Sequence, residues 1–369
     1  MMAKNDSFRI AVLPGDGIGR EVMEACLDVL RAAIQKEGGP ELVLEQHPAG
    51  ADTYLETGSA LPDRTLEACG HADAILLGAM GLPHVRYPDG TEITPQIDLR
   101  MHFGLYAGVR PCRAIAGVPR VLADPRADAI DFVLIRESTE GLFALRDQGV
   151  MEGHREARET LVITRAVSER LFDFALRTGA VRQAAGSQGR VTCVDKANVF
   201  RAFAFFRRIF DERSRLHPQL TCDHNYVDAA ALNLVTRPWD FDVLVTENMF
   251  GDILSDLAAG LIGGMGYAPS ADIGDEHAVF QPAHGTAPDI AGQGRANPTA
   301  MILSAAMMLD WLGTRHCVDA AMRTGKLIRS AVDDAFAGGL RTCELGGDAG
   351  TSAVARAVLA AIARGACQD

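Results

Sequence analysis

The sequence predicts an α/β protein built on a mostly parallel sheet flanked by helices. Three observations carry that expectation. Short apolar runs of strand length alternate with longer segments of helical periodicity. The chain has 369 residues, enough for one large α/β unit or for two domains that share a core. Neither a repeat of solenoid period nor a long low-complexity linker interrupts the pattern.

The elements follow in order. Phe8 to Leu13 is apolar but for Arg9 and reads as a strand, and Gly19 to Ile34 as an amphipathic helix. Ala74 to Gly78, Asp131 to Arg136, Arg190 to Val194 and Asp242 to Thr246 are further strands. Thr164 to Thr178, Ala197 to Asp211, Gly251 to Leu261, Pro298 to Leu312 and Ser352 to Arg364 read as helices. Ala144 to Thr160 is polar and charged, a composition that suits a protruding arm or a mobile loop.

Apolar residues make up 48% of the chain and charged residues 23%, the balance of an ordinary globular protein. The net charge is −12, from 36 Lys plus Arg against 48 Asp plus Glu. That argues against nucleic acid or an anionic membrane as partner. The N-terminus, Met1 to Arg9, is polar and resembles no signal peptide, and no apolar run has the length of a membrane span. The eight cysteines are scattered without a C-x-x-C pair, which suits reduced thiols and a cytoplasmic protein.

The most informative segment is Asn248-Met249-Phe250-Gly251-Asp252-Ile253-Leu254-Ser255-Asp256, which follows the strand at Asp242 to Thr246. Asp252 and Asp256 share one helix face at the carboxyl end of a strand, where open α/β sheets place ligands. Hard oxygen ligands there suit Mg²⁺ or Mn²⁺; for this pair taken alone, two solvated first-turn aspartates favoured by the helix dipole are the plainer reading. Arg100, Arg110 and Arg136 offer planar forks that match carboxylates; Arg136 ends a buried strand and Arg110 precedes Pro111. Three unrelated ion-pair arginines are the plain alternative. Lys196, after the strand at Arg190 to Val194, is either a proton-transfer group or the ion-pair partner of Asp195. Asp228 adds a carboxylate near His224. The glycines of Leu13 to Gly19 allow a tight turn or a close approach to a ligand, without a G-x-G-x-x-G pattern. Pro282 to Gly292 is turn-rich and precedes a helix that opens at Asn297-Pro298. Its Gly, Thr and backbone N–H groups can cradle phosphate, and Asp289 can accept from a ribose hydroxyl.

Together these segments resemble the decarboxylating dehydrogenases of 2-hydroxy acids, the isocitrate, 3-isopropylmalate and tartrate/D-malate dehydrogenase family. The resemblance runs from Gly15 to about Leu312, and its most specific parts are Val194 to Asn198, Thr246 to Asp256 and His284 to Gly292. It implies an isopropylmalate dehydrogenase-like three-layer α/β/α fold of two domains with the active-site crevice between them. Residues 1–105 plus 263–369 would form the cofactor-binding domain, and 106–262 the substrate, metal and dimerisation domain with an arm near 144–160. Arg100, Arg110 and Arg136 then correspond to the arginines that clamp substrate carboxylates. Asp228, Asp252 and Asp256 correspond to the metal ligands, and Lys196 with Asp228 to the catalytic pair. Family members are dimers with shared sites, so Lys196 and Asp228 would serve the neighbouring subunit. His284, Gly285, Thr286, Ala287, Pro288, Asp289, Ile290 and Asn297 correspond to the adenosine-binding residues. Asp289 followed by Ile290 resembles members that use NAD. The implied reaction is NAD- and Mg²⁺- or Mn²⁺-dependent oxidation of a malate-type hydroxy diacid, with loss of CO₂.

The chain departs from the family pattern in several places. The acid that protonates C3 is usually a tyrosine seven residues after the third arginine, and Phe143 stands there. Gln281 stands where a glutamate is common, and Arg20 replaces a proline. In the specificity segment, isopropylmalate enzymes carry leucines four and three residues before the first arginine; here these are Gln96 and Ile97. Thr94 and Gln96 are similar to, but longer than, the serine and asparagine of bacterial isocitrate enzymes. A buried amide left unpaired against an isopropyl group costs roughly 1–3 kcal/mol. The expected substrate therefore has a small or polar C3 substituent. The alternative is a non-catalytic or regulatory subunit that retains the fold, which Phe143 and Gln281 favour and the intact arginines, aspartates and Lys196 oppose.

Overall fold

The computed structural model describes residues 7–365. The polar stretch Met1 to Asp6, and Cys367, lie outside them. The strands are β1 (Ser7–Gly15), β2 (Glu41–Gln46), β3 (Ala74–Ala79), β4 (Ala107–Arg113), β5 (Asp131–Glu137), β6 (Val150–Glu152) and β7 (Glu156–Arg158). They continue with β8 (Arg190–Asp195), β9 (Thr221–Tyr226), β10 (Val243–Thr246), β11 (Pro269–Ile273) and β12 (Ala278–Pro282).

Ten strands form one sheet in the order β2-β1-β3-β12-β11-β4-β5-β10-β8-β9. Its two flanks are parallel blocks, β2-β1-β3-β12 and β5-β10-β8-β9. Between them, β11 and β4 run antiparallel to each other and to the strands they adjoin. Each parallel block is wound through helices, as parallel connections require. The antiparallel centre brings residues far apart in sequence onto one rung: Thr246, Arg136, Gly108, Asp272 and Val279.

Helices cover both faces, giving the expected three-layer α/β/α architecture. On β1, Phe8, Ile10 and Val12 pack into one core cluster, and Ala11 and Leu13 into another. That alternation follows from the two-residue period of a strand buried on both sides. Gly19–Glu37, Thr299–His316, Asp319–Ala337 and Thr351–Arg364 pack together. Arg165–Ala184 and Arg201–Ser214 pair beside the second block. Among the described residues no helix is long and apolar enough to cross a membrane.

The expected strands and helices all form, with shifted ends. Asn248–Leu261 starts before Gly251 because the Glu247 side chain caps it, accepting from the Phe250 amide at 3.3 Å. The helix expected from Ala197 instead begins at Arg201; a turn precedes it, with the Val199 and Phe200 amides donating to the Lys196 carbonyl at 3.1 Å. Residues 143–160 form a short 3₁₀ turn and the β6–β7 hairpin, whose side chains are exposed. All seven described cysteines are free thiols, four of them buried.

Candidate active site

A cavity of about 260 Å³ opens beside the antiparallel centre of the sheet. Arg100 enters it from the helix Pro95–His102, Arg110 from β4 and Arg136 from β5. Asp252 and Asp256 enter from Asn248–Leu261, and Gln96 and Phe143 complete the wall together with His284 and Gly285. Three forks from three elements thus line one pocket, and each also pairs with an aspartate: Arg100 and Arg110 with Asp272, Arg136 with Asp252.

Glycines make the crowding possible. A Cβ on Gly251 would lie 2.6 Å from the Arg136 Cβ, so the helix reaches this close to β5 only without a side chain there. A Cβ on Gly108 would lie 2.5 Å from Ser138 Oγ.

Arg136 is almost fully buried. Its Nε and Nη2 donate to Asn248 Oδ1 at 3.0 and 2.6 Å, and its Nη1 donates to Asp252. Burial, with the like charge of Arg100, pulls its guanidinium down to about 10, which leaves it charged at neutral pH. Arg110 is lowered by burial too, against the opposing pull of Asp272. Asp256 is raised, first by burial and then by the charge of Asp252. Two carboxylates side by side on one helix face in this pocket form a donor set suited to a hard divalent cation.

Lys196 and Asp228 lie elsewhere. Lys196 Nζ donates to Asp228 Oδ1, and neither residue lines the cavity. That hydrogen bond holds the Asp228 carboxyl below its usual range. Asp195 is not the partner of Lys196; it is buried and holds Arg207 at 2.7 Å. Among the described residues no group of three or more acidic, His or Cys side chains is assembled for a metal. Within one chain, Asp228 therefore stands apart from Asp252 and Asp256. Thr94 precedes the helix Pro95–His102 and does not line the cavity.

A second cavity, about 270 Å³, adjoins the first through His284. Ala287, Ile290 and Asn297 line it, with Ile18, Gly266, Arg295, Ala296, Thr342, Cys343 and Glu344. Pro288 and Asp289 are exposed in the same loop. Thr286 is buried, and its hydroxyl donates to the Gly81 carbonyl at 2.6 Å. Asn297 Nδ2 donates to Glu344 at 2.6 Å, and its Oδ1 accepts from the Thr299 amide at 3.1 Å.

The Gly15–Gly19 loop is fastened at several points, and its Ile18 borders the second cavity. The Asp16 carboxylate is buried and accepts from the amides of Ala51, Gly81 and Asp52 at 2.7, 2.8 and 3.0 Å. The Ile18 amide donates to the Thr286 carbonyl at 2.9 Å, docking this loop on the 284–290 loop. Arg20 donates to the Gly15 carbonyl at 3.1 Å and to Asp52 at 2.6 Å, which fastens the helix start where proline is usual.

Sequence reasoning missed Asp272 and the 342–344 segment. Asp272 is fully buried between Arg100 and Arg110. Its signal was a lone acid amid the small and apolar residues Ser270, Ala271 and Ile273. Thr342 to Glu344 carry no local signal, since only the fold brings them to the second cavity.

The arginine-lined, aspartate-bearing pocket and the loop-built cavity meet on one sheet, and comparison with known proteins gives the class. The chain belongs to the isocitrate/isopropylmalate dehydrogenase family, whose pattern it matches over residues 9–358. It is 42% identical over 352 residues to a 3-isopropylmalate/3-methylmalate dehydrogenase of Methanocaldococcus jannaschii, covering 95% of this chain and 97% of that one. A homoisocitrate dehydrogenase of the same organism is 41% identical over 358 residues, with coverage of 95% and 97%. Among solved structures, a β-decarboxylating dehydrogenase of Thermococcus kodakarensis superposes with a TM-score of 0.79 at 37% identity, covering 97% of this chain and 96% of that one. The protein is a dehydrogenase of this family.

Proposed function

We propose that the enzyme oxidises a malate-type 2-hydroxy diacid with NAD⁺ and Mg²⁺ or Mn²⁺, releasing CO₂. The observation that carries this reading is one pocket holding Arg100, Arg110 and Arg136 opposite Asp252 and Asp256. Arginine forks suit the two carboxylates of a diacid, and acidic oxygens suit a cation shared with its hydroxyl. Mg²⁺ or Mn²⁺ on Asp252, Asp256 and Asp228 of a second copy would supply Lewis acidity at that hydroxyl. NAD⁺, held along His284–Ile290 and Asn297, would supply the hydride acceptor.

The chain's own residues do the rest. The arginines bind and orient the carboxylates, so that C2 faces the second cavity. Lys196 of the second copy, with Asp228 beside it, would relay the hydroxyl proton, passing one of its own on as it takes the substrate's. Asp289 disfavours a 2′-phosphate, which supports NAD over NADP. A homodimer is supported by the apolar residues Leu232, Val235, Met249 and Ile253, which are 63%, 46%, 38% and 62% exposed. They lie on the packed helices Val227–Thr236 and Asn248–Leu261, next to Asp228 and Asp252. Covering them by a second copy brings Lys196 and Asp228 toward its pocket. The sheet order supports a domain division at 106 and 262, which would part the sheet between β11 and β4, and free thiols support a cytoplasmic setting.

A small or polar C3 substituent is supported by Gln96, whose buried Oε1 has no partner among the described residues. The relatives' names span isopropylmalate, methylmalate and homoisocitrate, so they select no side chain by themselves. The deciding experiment is a panel of hydroxy diacids with NAD⁺ and Mn²⁺, following NADH and CO₂ separately. Turnover of D-malate, tartrate or an isocitrate-like acid above 3-isopropylmalate supports the reading; preference for 3-isopropylmalate overturns the side-chain assignment. Absence of NADH with every acid supports the non-catalytic subunit instead, which Phe143 and Gln281 favour.

A further inference from the structure

Arg100 and Arg110 reach the cavity from different elements, and Asp272 fixes one against the other. This aspartate is fully buried on β11 and does not line the cavity. Its Oδ2 accepts from Arg100 Nε at 2.9 Å and from Gln281 Nε2 at 2.7 Å. Its Oδ1 lies 3.4 Å from Arg110 Nη2. Arg110 Nη1 is held by the Ala271 carbonyl at 3.0 Å. The glycine opposite on β4 keeps the space open, since a Cβ on Gly108 would come 3.2 Å from Asp272 Oδ1. Burial alone would raise the Asp272 carboxyl, yet the guanidiniums of Arg100 and Arg110 hold it below its ordinary value. With Nε occupied, the terminal nitrogens of Arg100 have no protein acceptor among the described residues and remain available to a ligand.

Gln281 completes the corner. A glutamate there would set a carboxylate oxygen where Nε2 now sits, 2.7 Å from Asp272 Oδ2. Two carboxylates at that distance cannot both ionise without a shared proton. The corner instead holds one carboxylate, on β11, and one amide, on β12.

We infer that Asp272 is a positioning residue that sets the Arg100 and Arg110 forks for the substrate diacid, with Gln281 as its required neutral partner. The inference rests on reading those arginines as carboxylate ligands. Asparagine at 272 with glutamate at 281 would supply the same charge and the same amide, exchanged between adjacent strands.

The test uses the purified full chain with NAD⁺, Mn²⁺ and D-malate as probe. Asp272→Asn raises the KM for D-malate about tenfold or more, the scale of one lost charge-assisted hydrogen bond. The KM for NAD⁺ stays within about twofold, because the second cavity is untouched. Gln281→Glu alone also raises the KM for D-malate, and less so in acid, where the two carboxylates share a proton. The double variant Asp272→Asn, Gln281→Glu returns that KM to within about threefold of the parent. An unchanged KM in Asp272→Asn, equal losses for D-malate and NAD⁺, or a double variant no better than the single one overturns the inference. If Asp272→Asn fails to fold, the double variant decides: folded with near-parent KM it supports the inference, and unfolded it refutes it. A parent enzyme that oxidises no hydroxy diacid refutes the reading of the pocket, and that outcome is visible before any variant is made.

Discussion

The Arg136 guanidinium carbon sits 5.7 Å from the centre of the Phe143 ring. The ring therefore offers the arginine a cation–π face and the cavity an apolar wall. It carries no proton for C3 of a decarboxylated intermediate. Phe143→Tyr adds a hydroxyl to that wall, and a positioned general acid accelerates protonation by roughly 10²–10⁴. The expected result is a higher ratio of CO₂ to NADH, measured in one reaction with D-malate, NAD⁺ and Mn²⁺. An unchanged ratio moves the protonating role to Lys196.

Lys196 and Asp228 stand together outside the cavity of their own chain. If they serve a second copy, Lys196→Met and Asp252→Asn each inactivate the enzyme while damaging different contributions to one site. Co-expression of the two variants then yields hybrids with one intact site, and about a quarter of parental activity returns. No recovery in isolated hybrids places both groups in one chain's site.

Gln96 borders the substrate pocket with an unpartnered amide oxygen. Gln96→Leu removes it and supplies an apolar surface. The ratio of kcat/KM for 3-isopropylmalate to that for D-malate should rise about tenfold or more, the worth of roughly 1–3 kcal/mol in a pocket. A ratio that does not move places specificity elsewhere.

Glu247 is buried and caps its helix with one oxygen, while Oε1 has no partner among the described residues. Burial raises its carboxyl above the ordinary value. A raised folded-state value means that its contribution is most favourable below the unfolded value and is lost as pH rises through the folded one. Glu247→Gln removes that titration and keeps an acceptor for the Phe250 amide. It should stabilise the fold at neutral pH, with the difference vanishing in acid. Urea melts at several pH values check this, and a variant less stable at neutral pH rejects it.

The parallel blocks were legible because β1, β3, β5, β8 and β10 are largely apolar runs, mostly buried on both faces. The strands missed have local reasons. β9, Thr221–Tyr226, is a polar edge strand, and β4 contains Pro111, which weakens a strand signal. β11 is built of small residues and Asp272, whose burial only the facing arginines explain. The site was legible where chemistry sits next to a strand end, as at Arg136 and Asp252. It was not legible at Asp272 or Glu344, whose neighbours come from remote parts of the chain. The glycine loop left a tight turn and a close approach to a ligand both open; Asp16 and Ile18 fasten it to other segments, and Ile18 also borders the second cavity.

The central claim is tested most directly by metal removal. NADH formation from the best hydroxy diacid is measured before and after dialysis against EDTA, and again after Mn²⁺ is returned. Turnover is expected to be lost, to recover on adding Mn²⁺, and to need about tenfold to a hundredfold more Mn²⁺ in Asp256→Asn. Full turnover in the EDTA-dialysed enzyme would contradict it.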